Sequence, residues 1–318
     1  MAEAAVVPTA QTQVTVTAEG LRHVYKGGTV ALDGVDLSFG TGLFGLLGPN
    51  GAGKSTLMRI MCTLLQPTEG RMTVGGHDVV GERQAVRTLI GYLPQEFGAW
   101  RLQRVEEVLD TLALLSGMRV KAERRRRVRE VLEQVGLLDV SDRKVKKLSG
   151  GMVRRLGVAQ ALVHDPRVIV VDEPTVGLDP EERLRFRQLM TNLGQDRTIV
   201  LSTHIVADLG SGCNDLALID SGKIVFRGSP SQLLESAGEQ VFEMVLPAGA
   251  EARLPAGVEI VSRSREGEGT RIRAVSGDGK APEGAQAVRA SNLEEAYLAF
   301  MAARGRVEAA IVEEEEAQ

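Results

Sequence analysis

The sequence predicts an α/β protein: a parallel sheet covered on both faces, antiparallel strands before it, a helical insert, and a small α+β domain near the end. Three observations carry that prediction. Short apolar runs at 168–172 (VIVVD), 198–203 (TIVLST) and 216–220 (LALID) recur, with a helical EERLRFRQLMTNL between the first two, as in a buried parallel sheet. The run LFGLLG at 43–48 ends in glycine and leads directly into the helix-periodic KSTLMRIMCTLL, a strand–loop–helix unit. Residues 14–39 alternate apolar and polar, which reads as antiparallel strands with one face in water.

In chain order, residues 1–12 are small and polar and read as disordered. One domain is expected over 13–238, with its helical insert at about 98–165, where VEEVLDTLALLSGM, AERRRRVREVLEQVGL and GGMVRRLGVAQALVHD show apolar spacings of three and four. The run Arg124–Arg127 could signal nucleic acid, but Val128, Val131 and Leu132 supply an apolar stripe and Glu123, Glu130 and Glu133 balance the charge. The run reads as a solvated helix face. After GSPSQLLESAGE, residues 239–305 hold short strand-like pieces and one helix, NLEEAYLAFMAAR, read as an α+β accessory domain; the acidic 306–318 reads as a disordered tail.

A length of 318 residues suffices for one large and one small domain. The net charge of −4 argues against a whole-surface affinity for nucleic acid or anionic lipid. Cys62 and Cys213 lack metal-ligand spacing and read as buried thiols of a reducing compartment. The first residues lack the basic and apolar regions of a secretory signal, and no apolar run approaches the roughly 20 residues that span a bilayer. The expected protein is soluble and cytoplasmic.

The stretch GPNGAGKST at 48–56 fits G-x-x-x-x-G-K-[ST] through Gly48, Gly53, Lys54 and Ser55. Its glycines let backbone N–H groups of Asn50, Gly51, Ala52 and Gly53 turn toward phosphate oxygens, and the following helix adds its positive end. Lys54 would reach the β- and γ-phosphates, and the Ser55 hydroxyl would coordinate Mg²⁺. VIVVDEP carries Asp172, a second Mg²⁺ ligand, and Glu173, which could polarise a water for attack on the γ-phosphate. An incidental acidic pair is the bland alternative, disfavoured by the apolar residues before it. A second glycine stretch, KLSGGMVRR at 147–155, also suits an anion, and a small-molecule kinase would leave it unexplained.

Over about residues 14–236 these motifs resemble the ATPase subunits of ATP-binding cassette (ABC) transporters: GPNGAGKST, YLPQEF with Gln95, LSGGM, VIVVDEP, GLDP with Asp179, and LSTH with His204, in the family's order. The resemblance implies a P-loop NTPase with a RecA-like core, an antiparallel β subdomain and a helical subdomain, and ATP with Mg²⁺ as ligands. It implies a head-to-tail dimer in which Ser149, Gly150 and Gly151 of one copy close on the ATP held by the phosphate loop and Thr56 of the other, and it counts Asp179 among the nucleotide-binding residues. Two distant loops then serve two sites. It also assigns Tyr25 to stacking on adenine rather than simple packing, Gln95 to the metal and water rather than loop polarity, and His204 to the γ-phosphate and attacking water rather than the core. His23, His77 and His164 match nothing in the family and read as structural or surface residues.

Met152 departs from the family's usual glutamine and cannot make its amide hydrogen bonds, at about 1 kcal/mol by the usual value of one bond. The loop after Gln95 faces a membrane subunit in the family, making Phe97 and Trp100 candidate contacts. The C-terminal segment ending in SNLEEAYLAF, and the run SGGMVRRLGVAQALVHDP, look like the drug- and antibiotic-exporter ATPases of the daunorubicin-resistance type. The implied function is an ATPase subunit that powers transport, in the export direction, through a separate integral-membrane permease. The implied partners are a second copy and that permease, with no nucleic acid, at the inner face of the cell membrane. The alternative is a non-transport ABC ATPase acting on nucleic acid or ribosomes; no coiled coil, zinc insertion or second cassette points there.

Overall fold

The computed structural model describes residues 14–247 and 258–305, apart from Glu96, Gly98, Ala99, Ser211, Glu239 and Glu283. The expected disorder of 1–12 and of the acidic tail lies outside the described residues. The chain forms two compact units that divide between Arg227 and Gly228.

In the first unit, strands β1 (Val16–Val24) and β2 (Val30–Phe39) pair antiparallel, as their alternation requires. With β4 (Glu69–Val74) and β5 (His77–Asp78) they form a four-stranded sheet in the order β2-β1-β4-β5. A second sheet has the order β10-β9-β3-β8-β7-β6, from β3 (Gly42–Leu47), β6 (Ile90–Leu93), β7 (Val168–Asp172), β8 (Thr198–Thr203), β9 (Cys213–Asp220) and β10 (Lys223–Gly228). Its β6–β7, β7–β8, β8–β3 and β3–β9 pairs are parallel. Every residue of β7 and β8 is buried, the signature of strands covered on both faces.

Helix α1 (Lys54–Met61) packs against β2, β4 and β7. Leu57, Met58, Ile60 and Met61 enter one apolar cluster with Leu21, Leu32 and Val35 of the antiparallel sheet and Val168, Val170 and Val200 of the parallel one. The loop preceding α1 is thereby fixed to both sheets. Between β5 and β6 runs the short helix α2 (Arg83–Leu89).

The insert consists of α3 (Val105–Leu115), α4 (Lys121–Gln134) and α5 (Gly150–Leu162), packed on one another, with α5 reaching β6 and α6 (Pro180–Leu193). Here the arginine run corrects the sequence reading. Arg125 and Arg126 are exposed, but Arg124 is buried, its guanidinium bonded to Asp110 at 2.7 Å and to the Met118 carbonyl at 3.1 Å. Arg127 donates to the Leu162 and Val163 carbonyls at 2.7 and 3.1 Å, at the end of α5, and pairs with Asp165. Two of the four arginines are therefore ties inside the insert, where carbonyls at a helix C-terminus favour a cation.

The second unit holds α7 (Pro230–Ser236), a sheet of order β12-β13-β11-β14 and α8 (Leu293–Ala302), with α7 packed on α8. Its strands are β11 (Val241–Leu246), β12 (Val258–Glu266), β13 (Gly269–Ser276) and β14 (Gln286–Val288). The contact between α7 and α8 places the junction before α7, whereas the sequence reading puts it after. Buried Glu295 accepts from Arg273 at 2.6 and 2.9 Å and from the Ser291 N–H at 2.6 Å. Burial alone would raise its pKa, but the guanidinium and the N–H outweigh that and hold it below the ordinary value.

Candidate functional site

The loop from Gly48 to Gly53 joins β3 to α1. Gly53 has φ 111°, and a Cβ there would stand 2.5 Å from the Ala31 carbonyl oxygen, so only glycine fits. No side chain caps the start of α1, which leaves its first N–H groups for a ligand. Lys54 is 5% exposed; its ammonium donates to the Gly48 and Pro49 carbonyls at 2.6 and 3.1 Å and lies 3.3 Å from Glu173 Oε1. A cleft of about 350 Å³ opens here, lined by Tyr25, residues 29–31, loop residues 49–56, Gln95 and Glu173. The Tyr25 hydroxyl bonds the Thr56 hydroxyl at 3.0 Å, tying the aromatic ring to the helix that starts at the loop.

Strand β7 ends in Asp172 and leads directly into Glu173, which lines this cleft. The Ser202 hydroxyl donates to Asp172 at 2.6 Å, fixing the carboxylate. Burial first, and then the Asp172 charge, push the Tyr92 phenol up to about 12 and raise the Cys62 thiol, as expected of a carboxylate in a low-dielectric setting. Glu173 has φ 47°, a left-handed conformation that a residue with a Cβ rarely adopts. The turn aims its carboxylate between Lys54 on one oxygen and His204 Nδ1, at 2.5 Å, on the other.

Ser149, Gly150, Gly151 and Asp179 do not line this cleft. Ser149 caps α5, its hydroxyl oxygen accepting from Met152 N–H at 3.2 Å. Accepting leaves the O–H itself as a donor. The carboxylate of Glu182 lies against Gly151, where a Cβ would stand 2.2 Å from Oε2. Asp179 caps α6 by accepting from the Glu182 N–H at 2.9 Å. The second glycine loop and Asp179 are thus neighbours around Glu182, a residue with no motif signal of its own.

Gln95 lines the cleft, and its carbonyl accepts from Arg154 of α5 at 2.6 Å. This arginine, whose pKa burial lowers, links the Gln95 loop to the helix of the second glycine loop. Sequence reasoning missed Glu182 and Ser202 because their partners lie 31 and 30 residues away, and it read Arg154 as a donor to an anion, whereas the guanidinium binds the Gln95 carbonyl 59 residues away. The sequence reading places Phe97 and Trp100 together as exposed contacts; the structure separates them. The Phe97 ring is half-buried over Gly157 of α5, where a Cβ would stand 3.3 Å from it, because a residue without a side chain makes room there. Trp100 is 41% exposed.

Ser55, Gln95 and Asp172 supply hydroxyl, amide and carboxylate oxygens, a hard donor set that suits Mg²⁺. Among the described residues no group of three or more His, Cys, Asp or Glu could hold a metal. A cation here would share its coordination with phosphate oxygens and water, as Mg²⁺ does.

The family model described as ABC transporter matches residues 32–176. The daunorubicin resistance ATP-binding protein DrrA3 of Streptomyces coeruleorubidus is 37% identical over 239 residues, 73% of each chain. The chain belongs to the ABC transporter ATPases. The methionine import ATP-binding protein MetN of Streptomyces coelicolor is 35% identical over 253 residues, 74% of this chain and 72% of that one. Among solved structures, cbiO1 of Clostridium perfringens, part of the ABC transporter complex cbiONQ, has a TM-score of 0.63 at 28% identity, covering 69% of this chain and 90% of that one. The dimeric ABC cassette MJ0796 bound to ADP and Pi, a post-hydrolysis state, has a TM-score of 0.61 at 27% identity, covering 67% and 98%. As an ABC ATPase subunit, this chain binds ATP and hydrolyses it to ADP and phosphate. ABC cassettes act as dimers and with membrane subunits. Among the described residues no helix is long and apolar enough to cross a membrane.

Proposed function

We propose that this ATPase subunit drives export through a separate membrane permease, closing as a head-to-tail homodimer on two ATP molecules and reopening on hydrolysis. The observation that carries the site assignment is Glu173, held between Lys54 and His204 at the mouth of the phosphate loop. In this reading the Tyr25 ring carries the adenine, and loop residues 50–56 hold the phosphates. Lys54 exchanges the Gly48 and Pro49 carbonyls for β- and γ-phosphate oxygens. Glu173 takes a proton from water as the water oxygen attacks the γ-phosphorus and the bond to the ADP oxygen breaks. His204, oriented by Glu173, and Gln95 position the water and the γ-phosphate. Ser55, Gln95 and Asp172 would hold Mg²⁺, which offsets charge on the phosphate oxygens. Ser149, Gly150, Gly151 and Asp179 of a second copy would close the site.

Export is favoured by the sequence reading of SNLEEAYLAF, the segment entering α8, as similar to antibiotic-exporter ATPases; the likeness to a methionine import protein means that cassette identity alone does not choose a direction. Attachment at the inner membrane face would come from the permease, with exposed Trp100 as a contact. Substitution Glu173→Gln tests the assignment: ATP binding is retained, hydrolysis falls by at least about a hundredfold, and an ATP-bound dimer accumulates on gel filtration. Undiminished hydrolysis would remove Glu173 from its role. Recovery of ribosomes or DNA, rather than a membrane protein, with the crosslinked chain from its native cell would replace transport with the alternative.

A further inference from the structure

Beyond the phosphate loop, the chemistry above makes no use of the buried carboxylate of Asp208. Asp208 is 2% exposed, in the short turn of residues 206–209 that follows His204. Its Oδ2 accepts from the Thr175 hydroxyl and, at 3.3 Å, from the Thr203 hydroxyl, whose proton is shared with the Ile205 carbonyl at the same distance. Both threonines are 1% exposed. Thr175 stands two residues after Glu173, and Thr203 immediately precedes His204.

The turn itself is firmly placed. Val206 and Leu209 are buried, and a Cβ on Gly45 of β3 would stand 2.7 Å from Leu209. Arg187 of α6 donates to the Ala207 carbonyl at 2.8 Å. Thr203 Oγ1 also accepts from the Ile205 N–H at 2.9 Å, so the chain around His204 is bonded on both sides. On the other strand, Glu173 N–H donates to the Ser202 carbonyl at 3.1 Å, the Thr175 carbonyl accepts from Leu178 N–H, and Glu173 keeps its left-handed backbone. A strained backbone persists only where its surroundings hold it. One oxygen of Asp208 grips both segments.

We propose that Asp208 is a positioning residue for ATP hydrolysis, its buried carboxylate clamping the backbone on either side of the Glu173–His204 pair. The proposal rests on the roles assigned above to Glu173 and His204. Asp208 does not line the nucleotide cleft, so losing the clamp should slow the chemical step and leave ATP binding intact. What the clamp requires is an acceptor at Oδ2 rather than a charge, and an asparagine amide oxygen can occupy that place.

The test measures kcat, KM for ATP and Tm on the full chain with Asp208→Leu, Asp208→Asn and Thr175→Val, beside Glu173→Gln. The expected result is a loss in kcat of at least about tenfold for Asp208→Leu with KM within roughly twofold, Asp208→Asn within about threefold of the parent, and Thr175→Val between them. An Asp208→Leu or Thr175→Val protein with unchanged kcat overturns the clamp, as does an asparagine variant no better than leucine. A parallel loss of kcat, ATP affinity and Tm also overturns it, since that marks a merely structural residue. If Asp208→Leu does not fold, Thr175→Val decides by the same criterion. Hydrolysis that survives Glu173→Gln would instead refute the underlying site, which separates the two failures.

Discussion

Lys54 shows how a single side chain can serve both the fold and a ligand. Its buried ammonium lies against two carbonyls and Glu173, which compensate its charge, and a phosphate oxygen is an acceptor of the same kind. Replacing it by alanine removes charge-assisted bonds worth about 2 kcal/mol, roughly thirtyfold in Kd for ATP. Titration with a fluorescent ATP analogue checks this; an unchanged Kd would mean that the lysine serves only the fold. Met152 sits at this scale too. Its backbone N–H bonds Ser149, a contact that needs no particular side chain at 152, so the cap survives the departure from glutamine.

Among the elements, β7, β8 and the β3–loop–α1 unit were legible from sequence because burial on both faces imposes continuous apolar runs, and because the phosphate loop has a fixed spacing. Ties between elements were not legible. Arg124 and Arg127 look like surface charge until Asp110 and the end of α5 are brought to them, and Phe97 looks exposed until Gly157, 60 positions on, receives its ring. His164 is a further tie of this kind: its Nε2–H donates to the Ile90 carbonyl at 3.0 Å, joining the chain after α5 to β6. Burial, with smaller help from Arg127, holds its pKa below the ordinary 6.5 despite the opposing pull of the carbonyl and Asp165. The unfolded chain therefore binds a proton more readily than the native one. The resulting stability is full above about pH 6.5 and is lost as pH falls below it toward the native pKa. Between pH 7.5 and 5.5 the parent should lose more Tm than His164→Gln does, by thermal unfolding in matched buffers; equal losses would contradict this.

For the whole molecule, the structure keeps the two glycine loops apart. The first lines the nucleotide cleft with Glu173; the second caps α5 beside Asp179 and lies outside that cleft. In the function proposed above, such a chain completes its sites by lending its second loop to another copy, as a symmetric pair does. The direct measurement mixes two full-length variants under separate tags, Ser149→Arg, which blocks the second loop, and Lys54→Ala, which disables the first. Each alone should be nearly inactive. Heterodimers formed on mixing carry one intact site in two and make up half the population, so ATP hydrolysis should return to about a quarter of the parent rate. If the two tags copurify with ATP and the mixture remains as inactive as its components, the second loop does not complete its partner's site and the central claim is wrong.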